Sequence, residues 1–305
     1  MNDILLVGES GIDYFGQSYG KLLKKNTNSG KVTISFGGLM RNTAENLTRL
    51  GNKVILLTAL GDDVYGNKLD EYMTSLGVKI LTPKSNIATS STVYAKDENG
   101  ELDVAISDTR IMTSLSKEFI MSHKELFDSH EYIVIDANLS GDLIDFLFAS
   151  FPDKKRICEA ISPSKVLKFE NHLNKMHLLK CNIREAQALM KIDLTERDLV
   201  GGLLAKGIQN VVVSNRANDI YYGSDSRDIG QVHVEEIKSY ISTNGCGDAL
   251  FSGIIDKHLM RRPLKEAVTF GNKMSSLTLM SEKDTTEEIS SLYYDHTLRK
   301  VDGTD

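Results

Sequence analysis

The stretch "NGCGDALFSGIIDKHLM" places two glycines around a cysteine, follows them with an aspartate, and then opens an apolar helical pattern. Leu250, Phe251, Ile254, Ile255 and Leu259 recur at the spacing of one helix face, which begins just after Gly247. The amides of Gly245, Cys246 and Gly247 therefore lie at a helix N-terminus, where unpaired N–H groups and the helix dipole favour an anion. Asp248 falls in the first turn of that helix. A carboxylate beside a bound anion is electrostatically unfavourable unless it has work to do, and taking a proton from an attacking hydroxyl is such work. Read alone, the same residues are also a glycine turn before an acidic first turn.

Three other groups carry possible chemistry. In "ISFGGLMRNTAENLTRLG" the pair Gly37-Gly38 lets a ligand approach backbone, and Asn42 offers a donor and an acceptor; alone, Asn42 reads as a helix N-cap. Asp13 lies in the glycine-rich "GIDYFG" and could accept hydrogen bonds from two vicinal hydroxyls. "CNIREAQALM" sets Asn182 and Glu185 three residues apart at a strand-to-helix junction, which suits a hydrated Mg²⁺ and equally suits a capping box. Together the four describe ATP-dependent phosphoryl transfer, a reaction in which positioning and charge stabilisation do most of the catalysis.

The elements that must position these residues alternate. Ile4 to Val7, "KVILLTALGDD", "EYIVIDAN", "KMHLLKCN" and "NVVVSN" read as short buried strands. Helical patterns lie between them: one from Asn42 to a glycine stop at Gly51, another closed by Gly77. The expectation is an α/β fold with a mainly parallel sheet covered by helices. Residues 12–36 and 88–107 break the rhythm and read as β-structure without helices, the second with a hairpin turn at Asn99-Gly100. Together they are expected to form a small sheet over the site, a lid inserted in a single domain spanning 1–305. After Ile4 to Val7 the chain lacks the glycine spacing and following helix of a dinucleotide-binding turn, which excludes that function.

Composition bounds the rest. The chain has 305 residues, 41% apolar and 26% charged, with a formal net charge of -6 and no long basic run. That speaks against a nucleic-acid or anionic-membrane surface. Three cysteines without metal-ligand spacing point to a reducing, cytoplasmic setting. No apolar stretch approaches the roughly 18 residues of a membrane span.

"GG" at Gly37 and Gly38, then Asn42, "LTRLG" and "LTALGDDVYG", resembles the N-terminal signature of the ribokinase-like (PfkB) carbohydrate kinases. "NGCGDALFSG", about 200 residues later, resembles their C-terminal G-A-G-D signature. The likeness implies a three-layer core with a small β-lid, and ATP with Mg²⁺ as cofactors. It implies Asp248 as general base for a primary hydroxyl and Gly245, Cys246 and Gly247 as the anion hole. Asp13, Gly37, Gly38 and Asn42 would touch the acceptor. Asn182 and Glu185, matching N-x-x-E, would hold Mg²⁺ through water, and Asn272 would flank adenine. Family lids pair across dimers, so a homodimer through the lid is implied. Within the family, "GGLMRNTAENLTRLG" and the hairpin "YAKDENGELDVAISD" resemble the pseudouridine kinases. A nucleoside acceptor would need polar groups at its base edge, for which Ser10, Thr92 and Asp108 are the candidates by position.

Two segments depart from the family pattern. In "VVVSNRANDIYYG" both usual glycines are missing, and Ser214, Asn215, Arg216 and Asp219 stand there. Either Ser214 and Arg216 contact phosphate in their place or the loop swings aside. Ser242 replaces an aspartate that helps hold a monovalent cation in relatives, which argues against K⁺ activation. Cys246 stands for a small residue, and its thiol pKa is expected to be lowered at the helix N-terminus. Besides a pseudouridine 5′-kinase, the sequence leaves open a kinase of another nucleoside or a free sugar, and a catalytically silent binder motivated by the altered Ser214–Asp219 loop.

Overall fold

The computed structural model describes residues 2–225 and 228–292. In chain order the strands and helices are β1 (Asp3–Val7), β2 (Gly11–Ser18), β3 (Gly30–Gly37), α1 (Leu39–Arg49), β4 (Lys53–Leu57), α2 (Val64–Ser75), β5 (Lys79–Leu81), β6 (Ser90–Lys96) and β7 (Leu102–Asp108). Then come α3 (Lys117–Ser122), α4 (Lys124–Ser129), β8 (Tyr132–Asp136), α5 (Gly141–Ser150), β9 (Lys155–Glu159), β10 (Met176–Asn182), α6 (Ile183–Met190) and α7 (Glu196–Ala205). The chain ends through β11 (Val211–Ser214), β12 (Ile220–Asp225), β13 (Asp228–Val232), α8 (Cys246–Leu259) and α9 (Leu264–Leu279).

Nine strands form one sheet in the order β13-β12-β11-β10-β9-β8-β1-β4-β5. The strands from β11 to β5 pair in parallel, and β12 and β13 extend the edge antiparallel. Successive side chains of a strand point to opposite faces, and both faces are covered. Leu5 and Val7 of β1 pack with Leu143 and Leu147 of α5, Leu189 of α6 and Leu203 of α7. Ile4 and Leu6 join Met40, Ala44 and Leu47 of α1, Leu69 and Met73 of α2 and Ile254 and Ile255 of α8. The α/β fold with a mainly parallel sheet expected from the sequence is the fold observed. Because α1 and α8 lie on the same face, residues about 200 positions apart meet at their N-terminal ends.

The second sheet has four strands in the order β3-β2-β6-β7. Its central pair β2–β6 is parallel and both outer pairs are antiparallel. The turn between β6 and β7 closes where Asn99-Gly100 predicted it, with Asp97 Oδ1 accepting from the Asn99 and Glu101 amides. One expectation is corrected. Asn42 does not cap α1: the N-cap is Gly38, and Asn42 lies one turn inside the helix, buried. A glycine at φ 91° opens the helix without a side-chain cap, so the Asn42 side chain is free to point elsewhere.

Candidate active site

A cavity of about 430 Å³ lies between the two sheets. The large sheet presents the C-terminal ends of its strands to it: Glu9 just after β1, Asn138 after β8, Glu159 closing β9, and Asn182 closing β10. In an open α/β sheet this edge is where ligands bind. The small sheet contributes Asp13, Phe15, Thr92, Tyr94 and Ser107. Register explains that selection. Asp13 is paired with Thr92, which is paired with Ser107, and Phe15 with Tyr94 two residues on, so all five share one face.

Asp248 lies in the first turn of α8, half-buried, and its Oδ2 accepts a 2.6 Å hydrogen bond from Asn42 Nδ2. Burial raises its carboxyl to about 6, while the Asn42 amide and the Lys180 ammonium oppose the rise. At neutral pH it is thus mostly ionised yet still basic enough to accept a proton. Gly245 is the N-cap at φ 71°, and α8 has no side-chain cap. A Cβ at Gly245 would strike the Asp284 carbonyl, so only glycine closes this turn. The first-turn amides of α8 consequently lie beside the cavity with no side chain taking their hydrogen bonds.

Lys180 adds the missing cation. Its Nζ sits next to Gly247, 3.4 Å from where a Cβ would be, and pairs with Glu159 Oε1 at 2.5 Å. Burial works against its charge, but Glu159, Glu185 and Asp248 outweigh it and hold the lysine protonated. An anion at the α8 N-terminus would therefore meet a desolvated ammonium as well as amides.

Asp13 is packed against Gly37, where any Cβ would collide with its carboxylate. Burial, with Asp284 and Glu9 nearby, raises Asp13 to about 8. Glu9 is raised to about 7, first by burial and then by Asp136, with Lys165 opposing. Lys165 donates to Asn138 Oδ1 at 2.5 Å, and both line the cavity. This end is thus rich in carboxyls that can donate as well as accept, a fitting surface for hydroxyls and for the edge of a polar ring.

Asn182 and Glu185 form a full capping box at the start of α6. Asn182 Oδ1 accepts from the Glu185 amide (3.1 Å), and Glu185 Oε2 accepts from the Asn182 amide (2.7 Å). Both also line the cavity. The two readings of this pair are compatible: the box fixes the carboxylate at the cavity wall. Glu159 Oε2, buried without a hydrogen-bond partner among the described residues, adds an oxygen beside them. That all-oxygen set fits a hydrated Mg²⁺, which keeps several waters and takes one or two carboxylates.

Of the residues singled out from the sequence, Asp13, Gly38, Asn42, Thr92, Asn182, Glu185, Gly245, Gly247 and Asp248 line the one cavity. Gly37 backs Asp13 from behind. Ser10 is fully buried, its hydroxyl unpaired among the described residues, and lies outside the cavity lining. Asp108 lies in an adjoining recess and is paired with Arg110 at 2.6 Å. Ser214, Arg216 and Asn272 do not border the cavity. Cys246 requires a correction: burial pushes its thiol up to about 12, with Asp248 and Asp284 adding to the rise. The helix-terminus effect is outweighed by desolvation, so the thiol is not activated.

Sequence reasoning missed Glu9, Glu159, Lys165, Lys180 and Asp284, all of which line the cavity. A signal existed for one of them. Lys180 interrupts the apolar run of "MHLLKCN", two residues before Asn182, and a lysine inside a central strand needs a partner.

The comparisons with known proteins follow the same outline. The model of the pfkB family carbohydrate kinases matches residues 1–290. The pseudouridine kinase of Escherichia coli (strain K12) is 31% identical over 296 residues, covering 94% of this chain and 93% of that protein. The guanosine-inosine kinase of Exiguobacterium acetylicum is 24% identical over 301 residues, covering 93% and 96%. The fold matches that of ribokinase from Thermotoga maritima with a TM-score of 0.85 at 17% identity, covering 97% of this chain and all of that one. The chain belongs to the pfkB family of carbohydrate kinases, phosphotransferases with a hydroxyl acceptor.

Proposed function

We propose that this chain transfers the γ-phosphoryl group of ATP to the 5′-hydroxyl of pseudouridine. The observation that carries the chemistry is the Asn42–Asp248 hydrogen bond at the mouth of α8. It aims a half-buried carboxylate, raised to about 6, into a cavity with hydroxyl-binding groups across from it. Asp248 accepts the proton of the acceptor hydroxyl as that oxygen takes the phosphoryl group. The amides of Gly245, Cys246 and Gly247 and the Lys180 ammonium offset the negative charge there. Asp13 and the Gly37-Gly38 backbone hold the sugar. Asn182, Glu185 and Glu159 would hold Mg²⁺ through water, and the ion would offset the charge of the ATP phosphates. Ser214, Arg216 and Asn272 serve the outer part of the nucleotide. Support for pseudouridine itself comes from the 31% identity to a pseudouridine kinase.

The small sheet acts as a lid, and its outer face is the dimer surface in this reading. Val32, Ile34, Val93, Val104 and Ile106 are exposed and by register occupy the face opposite Asp13 and Thr92. A contiguous apolar face of this kind needs a cover.

The test is ADP release with Mg²⁺–ATP over a panel of pseudouridine, uridine, guanosine, inosine, ribose and fructose. Fastest turnover on pseudouridine, with phosphate mapped to its 5′ oxygen, is expected. Preference for guanosine or inosine would move the reading toward the second relative, and turnover of ribose alone would remove the nucleoside from it.

A further inference from the structure

We propose that Asp284, in the segment following α9, is a further positioning residue for the acceptor: its carboxyl, beside that of Asp13, holds a hydroxyl of the acceptor's sugar. This rests on the kinase reading above and adds a residue outside both family signatures.

Asp284 comes from a polar stretch, "SEKDTTEE", that nothing in the sequence marks as functional. A tight turn presents it. Ser281 Oγ accepts from the Lys283 amide (3.0 Å) and donates to the Thr285 carbonyl (3.2 Å). This turns Glu282 and Lys283 to solvent and Asp284 inward, where it is 5% exposed and lines the cavity. Its backbone carbonyl abuts Gly245, so the same residue touches the turn that opens α8.

The side chain is not satisfied by the protein. Asp284 and Asp13 line the same cavity, and the Asp284 carboxyl is near enough to raise that of Asp13. The Asp284 Oδ1 is buried with no hydrogen-bond partner among the described residues. No ion pair reaches it among the described residues; Arg41 is committed to Glu45 at 2.6 Å and acts on Asp284 only through its field, as does Lys96. A buried carboxyl without a partner is costly and rare in folded proteins. Facing a cavity, it calls for a ligand that donates a hydrogen bond.

The pairing with Asp13 defines the ligand's chemistry. Two adjacent carboxyls cannot both ionise easily and share a proton. The pair then offers both a donor and acceptors on one cavity wall. Vicinal hydroxyls, each donating and accepting, match that arrangement; a lone hydroxyl or an anionic group does not. The ribosyl diol of a nucleoside is such a ligand, with Asp13 and Asp284 at its secondary hydroxyls and Asp248 left for the primary one.

The experiment is calorimetric binding of pseudouridine and its 2′-deoxy and 3′-deoxy counterparts to the full chain, alongside steady-state turnover. Asp284→Ala is expected to weaken pseudouridine binding about tenfold or more, with turnover at saturation within about threefold of wild type. On at least one deoxy counterpart the same substitution should cost less than about threefold, because the hydroxyl it served is gone. Asp284→Asn, which keeps an acceptor and the side-chain volume, should recover part of the loss and serves if the alanine variant does not fold. Lys283→Ala, on the solvent side of the same turn, should bind normally. An Asp284→Ala loss below about twofold, an equal loss on all three acceptors, or an asparagine variant no better than alanine would overturn the proposal. Turnover by the wild type on the acceptor panel is scored separately, so failure of the kinase reading and failure of the Asp284 role remain distinct results.

Discussion

The nine-stranded sheet is covered on both faces, whereas the four-stranded sheet leaves a large part of its outer face bare. In the large sheet, Leu5 and Val7 meet one helical layer and Ile4 and Leu6 the other, so β1 is apolar from Ile4 to Val7. In the small sheet, one face carries Asp13, Thr92 and Tyr94 to the cavity, and the other exposes Val32, Ile34, Val93, Val104 and Ile106. A buried sheet is a platform whose geometry is fixed by packing. A sheet with one polar and one bare apolar face is held by what it binds. On the kinase reading proposed above, the transfer chemistry falls to the helix termini packed on the large sheet and acceptor capture to the small one.

That division can be broken at either side. Asp248→Asn, on the platform, is expected to reduce turnover by on the order of 10² or more, measured by ADP release at saturating acceptor. Asp13→Ala, on the small sheet, should instead raise the acceptor KM about tenfold or more and lower turnover less, since a buried hydrogen-bonding partner is lost. Ile34→Glu combined with Ile106→Glu places like charges on the exposed face. Light scattering should show a dimer weakened about tenfold or more, with unchanged melting of the large-sheet core. A wild type that is monomeric at high concentration would remove that surface from the account.

The smallest expected effect is on stability with pH. Glu9 and Asp13 have folded-state values of about 7 and about 8, above those of an unfolded chain, because both are buried. A raised carboxyl binds its proton more tightly when folded, so its stabilising contribution is present at low pH and is lost as pH rises through the folded value. The loss should begin near about pH 4, where unfolded carboxyls ionise, and level off above about pH 8, read as a falling melting temperature by calorimetry. The double variant Glu9→Gln with Asp13→Asn should flatten that slope.

Much of this arrangement was legible in the sequence, for a physical reason. Strands such as Ile4 to Val7 and "EYIVID" are apolar runs because both their faces are buried, and the glycines at Gly77, Gly100 and Gly245 mark turns at positive φ. The meeting of Asn42 with Asp248 was not legible from either segment, since an asparagine near a helix start reads as its cap. Only the packing of α1 beside α8 turns it to the carboxylate. The charged residues of the core were the hardest to read. In β9, "KRICE", Arg156 and Glu159 look like surface positions. In the fold Arg156 donates to the carbonyls of Leu147, Phe148 and Phe151, and Glu159 pairs with Lys180. Glu159 and Lys180 come from different strands, so their burial at the cavity wall follows from the fold alone. Asp284 is similar, a carboxyl whose role depends on a turn that brings it to Gly245.

The most direct test of the division between platform and acceptor sheet is the acceptor dissociation constant of Asp248→Asn set beside its turnover. The expected result is binding within about threefold of wild type and turnover lower by on the order of 10² or more. Loss of binding in proportion to loss of turnover, or turnover that barely changes, would contradict the assignment of Asp248 as the base.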